Sequence, residues 1–188
     1  MTALLEWRNV PNILTIGRIV LVCPVVMSIY FEHFRQALVL FLVAGISDGI
    51  DGYLARRFNW KSRFGSIADP LADKLLLVSS YLAITLADLV ECWLALIVLG
   101  RDVVILVGAI VYHFWIGRYQ IIPSILGKFC TLCQMIYVLI VVMYAARWPM
   151  PEVAVHYGQW LVVIVTLVSG LSYVWVWGRK AMAAGSGA

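Results

Sequence analysis

Six apolar runs in succession, each about as long as a helix needs to cross a bilayer, constrain this chain most. They extend approximately from Ile13 to Phe31, Gln36 to Ala55, Ser66 to Ala87, Trp93 to Trp115, Ile121 to Ala145 and Val153 to Trp177. A hydrocarbon core roughly 30 Å thick takes about 20 apolar residues per crossing. The connections (Glu32-His33, Arg57 to Arg63, Asp88 to Cys92, Gly117 to Gln120, Arg147 to Glu152) are short and hold the turn formers and most of the charge. Only 13% of the 188 residues are charged and 63% are hydrophobic, where a soluble domain carries roughly 25% charge. That excludes a soluble globular enzyme. The chain is expected to be one all-α, polytopic membrane domain of six transmembrane helices over residues 1–188. Its last residues, Ala181 to Ala188, are small and polar enough to fray. No internal repeat is visible, which weighs against inverted-repeat transporters.

In a membrane protein the placement of charge says more than its sum of +4. With a cytoplasmic N-terminus, Arg8, Arg56, Arg57, Lys61, Arg63, Arg118, Arg179 and Lys180 fall in inner segments and only Arg35 and Arg147 in outer ones. This asymmetry orients both termini to the cytoplasm, and the inner membrane is the expected location. Nucleic acid is therefore not the expected partner of the basic residues. Trp7, Trp60, Trp93, Trp115, Trp148 and Trp177 lie near run ends, as interfacial anchors do. Met1 to Pro11 carries Glu6 and Arg8 and no small-residue cleavage site follows the first run, so that helix is expected to stay in the mature protein. Cys23, Cys92, Cys130 and Cys133 fall in or beside apolar runs and are expected to be unpaired; the Cys130-x-x-Cys133 string suits packing better than redox or zinc chemistry. His33, His113 and His156 stand alone near run ends and receive no role.

The charges left inside the runs are Arg18, Lys74, Arg101, Lys128, Asp48, Asp51, Asp69, Asp73 and Asp102. Each costs a few kcal/mol near a helix centre, so together they call for an interface, a polar cavity or bound ions. Asp48 and Asp51 are three apart at the end of the second run, and Asp69 and Asp73 four apart at the start of the third. Each pair occupies one helical face. An antiparallel pairing of these helices brings all four together on the cytoplasmic side, where like charges need something positive between them. Oxygen-only ligands suit Mg²⁺, Mn²⁺ or Ca²⁺ and disfavour Zn²⁺, and a two-ion arrangement suits phosphate chemistry.

Gly49, Gly52 and Ala55 keep one helix face almost bare, and Gly65 and Ser66 do the same at the next helix entrance. Arg56 sets a cation beside that face, in a form suited to a diphosphate oxygen. Each feature alone also fits packing or positive-inside charge; four aspartates at helical spacing do not. Lys74 either meets a ligand phosphate or balances the carboxylates. A cation channel or transporter would use the same aspartates as a pathway, but they gather at one side and no polar chain continues across.

Asp48, Asp51, Gly52, Ala55, Arg56, Gly65, Asp69 and Asp73 read D-x-x-D-G-x-x-A-R-x8-G-x3-D-x3-D, which resembles the signature of the CDP-alcohol phosphatidyltransferase family at every position and spacing. The resemblance implies six helices, homodimerisation, and transfer of a phosphatidyl or similar group from a CDP-linked donor to an alcohol with release of CMP. It also implies Mg²⁺ or Mn²⁺, as two ions, on Asp48, Asp51, Asp69 and Asp73, with Asp73 as the base that deprotonates the attacking hydroxyl. Gly52, Ala55, Arg56 and Gly65 would line the cytidine diphosphate.

Outside the signature, Pro11-Asn12-Ile13-Leu14-Thr15-Ile16-Gly17-Arg18 resembles the P-N-x-x-T-x-x-R opening of the glycerophospholipid branch. Thr15 and Arg18, three apart, are expected to face the donor, CDP-diacylglycerol. Arg101-Asp102 and the segment Gly127 to Gln134 resemble the two stretches that shape the acceptor pocket, which makes Arg101 and Lys128 the expected acceptor-phosphate ligands. Two acceptors compete: phosphatidylglycerol, giving cardiolipin, and glycerol 3-phosphate, giving phosphatidylglycerophosphate. Bacterial members of the second kind typically carry a second Lys where this chain has Cys130, and Glu where it has Asp102. A dianionic phosphomonoester needs that missing cation more than a phosphodiester does. Ala87 to Leu89, Gly100 to Val103, Ser169 to Tyr173 and Gly178 to Lys180 resemble the cardiolipin-forming branch as well.

Overall fold

A computed structural model describes residues 10–58, 63–116 and 125–185 of the chain. Six helices follow in order: α1 (Val10–Tyr30), α2 (Phe34–Arg57), α3 (Arg63–Leu86), α4 (Cys92–Ile116), α5 (Ile125–Ala145) and α6 (Glu152–Gly185). There is no strand among the described residues. The helices coincide with the six apolar runs. Helix α6 continues past Trp177 through Ala181 to Gly185, so the stretch expected to fray is helical there, in keeping with the high helix propensity of Ala and Met. Trp7, Trp60, Arg8, Lys61, Arg118 and Ile121 lie outside the described residues.

Pro24 and Pro70 sit inside α1 and α3. Each removes one backbone hydrogen bond, a defect that neighbouring helices make tolerable in membrane segments.

Three of the six helices hold segments long and apolar enough to cross a membrane: Ile13–Tyr30, Ile125–Ala145 and Glu152–Val176. The outward surfaces agree with a lipid setting. Val20, Leu86, Leu106, Leu171 and Trp175 are large, apolar and exposed, an arrangement water would penalise heavily. The chain is a membrane protein.

Helices α1, α3 and α5 end in the same way. His33 N–H donates to Ser28 C=O at 2.7 Å and Glu32 N–H to Ile29 C=O at 3.0 Å. Leu89 and Asp88 repeat the pattern on Ile84 and Thr85, as do Trp148 and Arg147 on Met143 and Tyr144. These are Schellman closures, in which a left-handed residue lets the chain reach back to the last orphan carbonyls. Glycine usually fills that position. Here it is Glu32 (φ 59°), Asp88 (φ 53°) and Arg147 (φ 58°).

The chain divides into two compact units, Met1–Leu89 with Val138–Met150, and Val90–Tyr137 with Pro151–Ala188. In the first, α1 packs against both α2 and α3. Its buried stripes have heptad spacing: Thr15, Arg18, Val25 and Ile29 on α1, then Ala37, Phe41 and Ala44 on α2, and Ala68, Ala72, Leu76 and Ala83 on α3. In the second unit α4 packs on α6, burying Leu94, Val98, Val162 and Val163, while Cys130 and Tyr137 of α5 are also buried.

Candidate active site

The polar residues of the first unit continue its core stripes. Thr15 and Arg18 occupy the buried face of α1, one step toward the N-terminus from Val25 and Ile29. Asp48 extends the Ala37, Phe41, Ala44 stripe by one more helical turn, and Asp69 and Asp73 follow Ala68 and Ala72 on α3. The packing that assembles the core therefore also brings the carboxylates to one end of three helices.

Their meeting point is Arg18. Its Nη1 lies 2.5 Å from Asp73 Oδ1 and 2.7 Å from Asp48 Oδ1. The Arg18 side chain is 0% exposed, whereas those of Asp73 and Asp48 are 31% and 44% exposed. The guanidinium thus anchors the carboxylates from inside while they open outward. Thr15 Oγ1 donates to Asp69 Oδ1. Both α1 residues, expected to face the donor, are in the structure bonded to the aspartates. The positive charge required between the carboxylates is supplied, at least in part, by the protein itself. A fully buried arginine is retained in such a place only with charged partners, because removing one leaves several kcal/mol of unpaired charge.

The side chains of Asp51, Ala55 and Arg56 and the surroundings of Gly65 lie outside the described part of the structure, their backbones being in α2 and α3. Gly52 is half-buried. Among the described residues, a Cβ added at Gly49 would meet nothing within 4 Å, so α2 is open at that position. Lys74, next to Asp73, is exposed.

The donor set is chemically suited to a divalent ion. Asp48, Asp69 and Asp73 offer only carboxylate oxygens, from two helices, and Asp48 and Asp73 are half-open beside a buried counter-charge; such oxygens suit Mg²⁺ or Mn²⁺. Among the described residues no three His, Cys, Asp or Glu side chains are already drawn together around one point.

A second polar cluster lies within the other unit. Arg101 of α4 is 9% exposed. It donates through Nη1 to Asp102 Oδ1 at 2.8 Å and through Nη2 to Ser169 Oγ at 2.7 Å, and stands 5.7 Å from the centre of the Tyr173 ring. Gln134 Nε2 donates to Thr166 Oγ1 at 3.0 Å, and Cys130 Sγ lies 3.6 Å from the same hydroxyl. Cys130, Gln134, Thr166 and Ser169 are all buried. Lys128 is exposed, so of the two expected acceptor ligands only Arg101 joins this cluster. Thr166, Ser169 and Tyr173 received no role from the sequence; their spacing of three and four on α6 was the available signal. All four cysteines are free.

Comparison with known proteins adds to this geometry. The family model for CDP-alcohol phosphatidyltransferase matches residues 8–175. A CDP-diacylglycerol–glycerol-3-phosphate 3-phosphatidyltransferase of Aquifex aeolicus is 37% identical over 127 residues, covering 66% of this chain and 70% of that protein. A CMP-forming cardiolipin synthase of Rattus norvegicus is 39% identical over 128 residues, covering 66% of this chain but 41% of the rat protein. A CDP-diacylglycerol–glycerol-3-phosphate 3-phosphatidyltransferase of Bacillus subtilis is 29% identical over 188 residues, covering 88% of this chain and 93% of that protein. With Asp48, Asp69 and Asp73 of the signature brought to one end of α1, α2 and α3, and a family match that runs through nearly all of its helices, the chain belongs to the CDP-alcohol phosphatidyltransferases.

Proposed function

We propose that this enzyme transfers a phosphatidyl group from CDP-diacylglycerol to phosphatidylglycerol, giving cardiolipin and CMP. The observation that carries the choice of acceptor is Cys130, fully buried against Thr166 in the cluster that holds Arg101. A small neutral residue there leaves Arg101 as the buried cation of that cluster, which suits the single charge of a phosphodiester better than the two of a phosphomonoester.

The acceptor hydroxyl oxygen attacks the β-phosphorus of the donor. The bond from that phosphorus to the bridging oxygen breaks, and CMP departs with the electron pair. Asp73 takes the hydroxyl proton; because Oδ1 is engaged by Arg18, Oδ2 is the oxygen that receives it. Arg18 keeps Asp73 and Asp48 in position, and Thr15 does the same for Asp69. Mg²⁺ or Mn²⁺ on Asp48, Asp51, Asp69 and Asp73 would, when bound, neutralise the diphosphate and stabilise the charge on departing CMP. Gly52, Ala55, Arg56 and Gly65 line the cytidine diphosphate in this reading, Lys128 meets acceptor phosphate, and Lys74 either does the same or balances the carboxylates.

All six helices cross the inner membrane with both termini and the aspartates on the cytoplasmic side. The distribution of loop bases supports that orientation. The diacyl tails stay in lipid, and two copies of the chain pair as a homodimer, as the family resemblance implies.

Glycerol 3-phosphate is the second reading, favoured by the Bacillus subtilis relative, whose name carries that acceptor and which matches along 93% of its length. Purified protein given CDP-diacylglycerol and Mg²⁺, with phosphatidylglycerol or glycerol 3-phosphate in separate reactions, decides between them. Cardiolipin formed from phosphatidylglycerol alone is the expected result. Phosphatidylglycerophosphate formed from glycerol 3-phosphate would transfer the proposal to the other acceptor.

A further inference from the structure

A cavity of about 540 Å³ opens at the other end of the first unit, lined by Glu32, His33, Arg35, Gln36, Ala146 and Arg147 among others. Glu32 lies fourteen positions beyond Arg18 along α1 and its closing turn, which at a helical rise is roughly 20 Å. The cavity is therefore remote from the aspartates. The sequence leaves only Arg35 and Arg147 as bases on this side of the chain, and the fold brings both to one cavity although 112 positions separate them. Among the described residues no carboxylate pairs with either guanidinium. Glu32 is the single acidic residue in the lining. Helix α2 begins here, at Phe34, and the positive end of its dipole adds to the two arginines.

The surroundings point to where a ligand comes from. Two membrane-crossing segments, Ile13–Tyr30 and Ile125–Ala145, end at this cavity. Its mouth is thus at the level of lipid headgroups. Buried Ala146 and half-buried Ala145 give it a small, apolar floor, while Arg35 and Arg147 stand exposed at its rim. A guanidinium group matches the geometry of phosphate oxygens, and two of them line this cavity.

We propose that this cavity binds the phosphodiester headgroup of an anionic phospholipid, on the membrane surface opposite the aspartate cluster. The site shares no residue with the donor and acceptor sites proposed above and does not depend on which alcohol the enzyme uses.

Native mass spectrometry of the full chain in detergent tests this, after equilibration with phosphatidylglycerol, phosphatidylcholine or inorganic phosphate. Since the reaction site also takes anionic lipid, the readout is the difference between wild type and the double variant Arg35→Gln, Arg147→Asn. Asparagine tolerates the left-handed backbone at position 147. The double variant is expected to lose one retained phosphatidylglycerol per chain, to hold phosphatidylcholine as wild type does, and to show no difference with phosphate. Glu32→Gln, which removes the competing carboxylate, is expected to retain more phosphatidylglycerol than wild type. Equal phosphatidylglycerol retention in wild type and double variant would overturn the proposal. So would equal loss of both lipids, which marks apolar contact only, or displacement of phosphatidylglycerol by phosphate, which marks a site for free anions. Circular dichroism checks that the double variant folds; if it does not, the single exposed variant Arg147→Asn, with a partial loss expected, carries the same test.

Discussion

Arg18 holds Asp73 through one guanidinium nitrogen at 2.5 Å, and the same nitrogen holds Asp48 at 2.7 Å. One buried cation thus positions the general base proposed above and a carboxylate from a different helix. Replacing Arg18 with Gln is expected to leave the carboxylates repelling one another, at a cost of about 3–5 kcal/mol in stability, and to abolish CMP release. Arg18→Lys keeps the charge but loses the planar fork, so an intermediate loss of CMP release is expected. Thermal unfolding in detergent, measured alongside CMP release, separates the two effects. A fully active Arg18→Gln variant would remove Arg18 from the account.

Ser169→Ala removes the hydroxyl that receives Arg101 Nη2. A buried hydrogen bond to a charged group contributes roughly 1.5–3 kcal/mol, so a rise of tenfold or more in KM for the acceptor lipid is expected, with kcat little changed. Gly170→Ala is the control, because its new Cβ would stand 3.5 Å from Arg101 Cγ, an ordinary contact. Equal kinetics in the two variants would show that Arg101 does not work through Ser169.

At Gly158 the packing leaves no such room. A Cβ there would come 2.9 Å from Cδ2 of the buried Tyr137 ring. Gly158→Ala is expected to destabilise the protein by about 1–3 kcal/mol through overpacking, visible as a lower Tm. An unchanged Tm would mean that the ring yields freely.

The helices were legible because an apolar run of membrane length has few alternatives, and the aspartate pairs because spacings of three and four mark one helical face. The closing turns were not. Glu32, Asp88 and Arg147 adopt the left-handed conformation that glycine usually signals, and nothing local in the sequence marks them. The bonds of Arg18 were also hidden, since Asp73 lies 55 positions away and the pairing arises from how α1 packs between α2 and α3. The roles of Thr166 and Ser169 are hidden for another reason: small polar residues in an apolar helix look like a packing surface until Gln134 is seen against the one and the buried Arg101 against the other.

The most direct test of the central claim, that the aspartates around Arg18 carry metal-dependent phosphatidyl transfer, is CMP release by purified protein from CDP-diacylglycerol and phosphatidylglycerol. It is measured before chelation, after chelation, and after Mg²⁺ is restored, in wild type and Asp69→Asn. The account expects release that stops on chelation, returns with Mg²⁺ in step with cardiolipin, and is absent from the variant although it inserts and folds. Release that persists after chelation, or in Asp69→Asn, would contradict it.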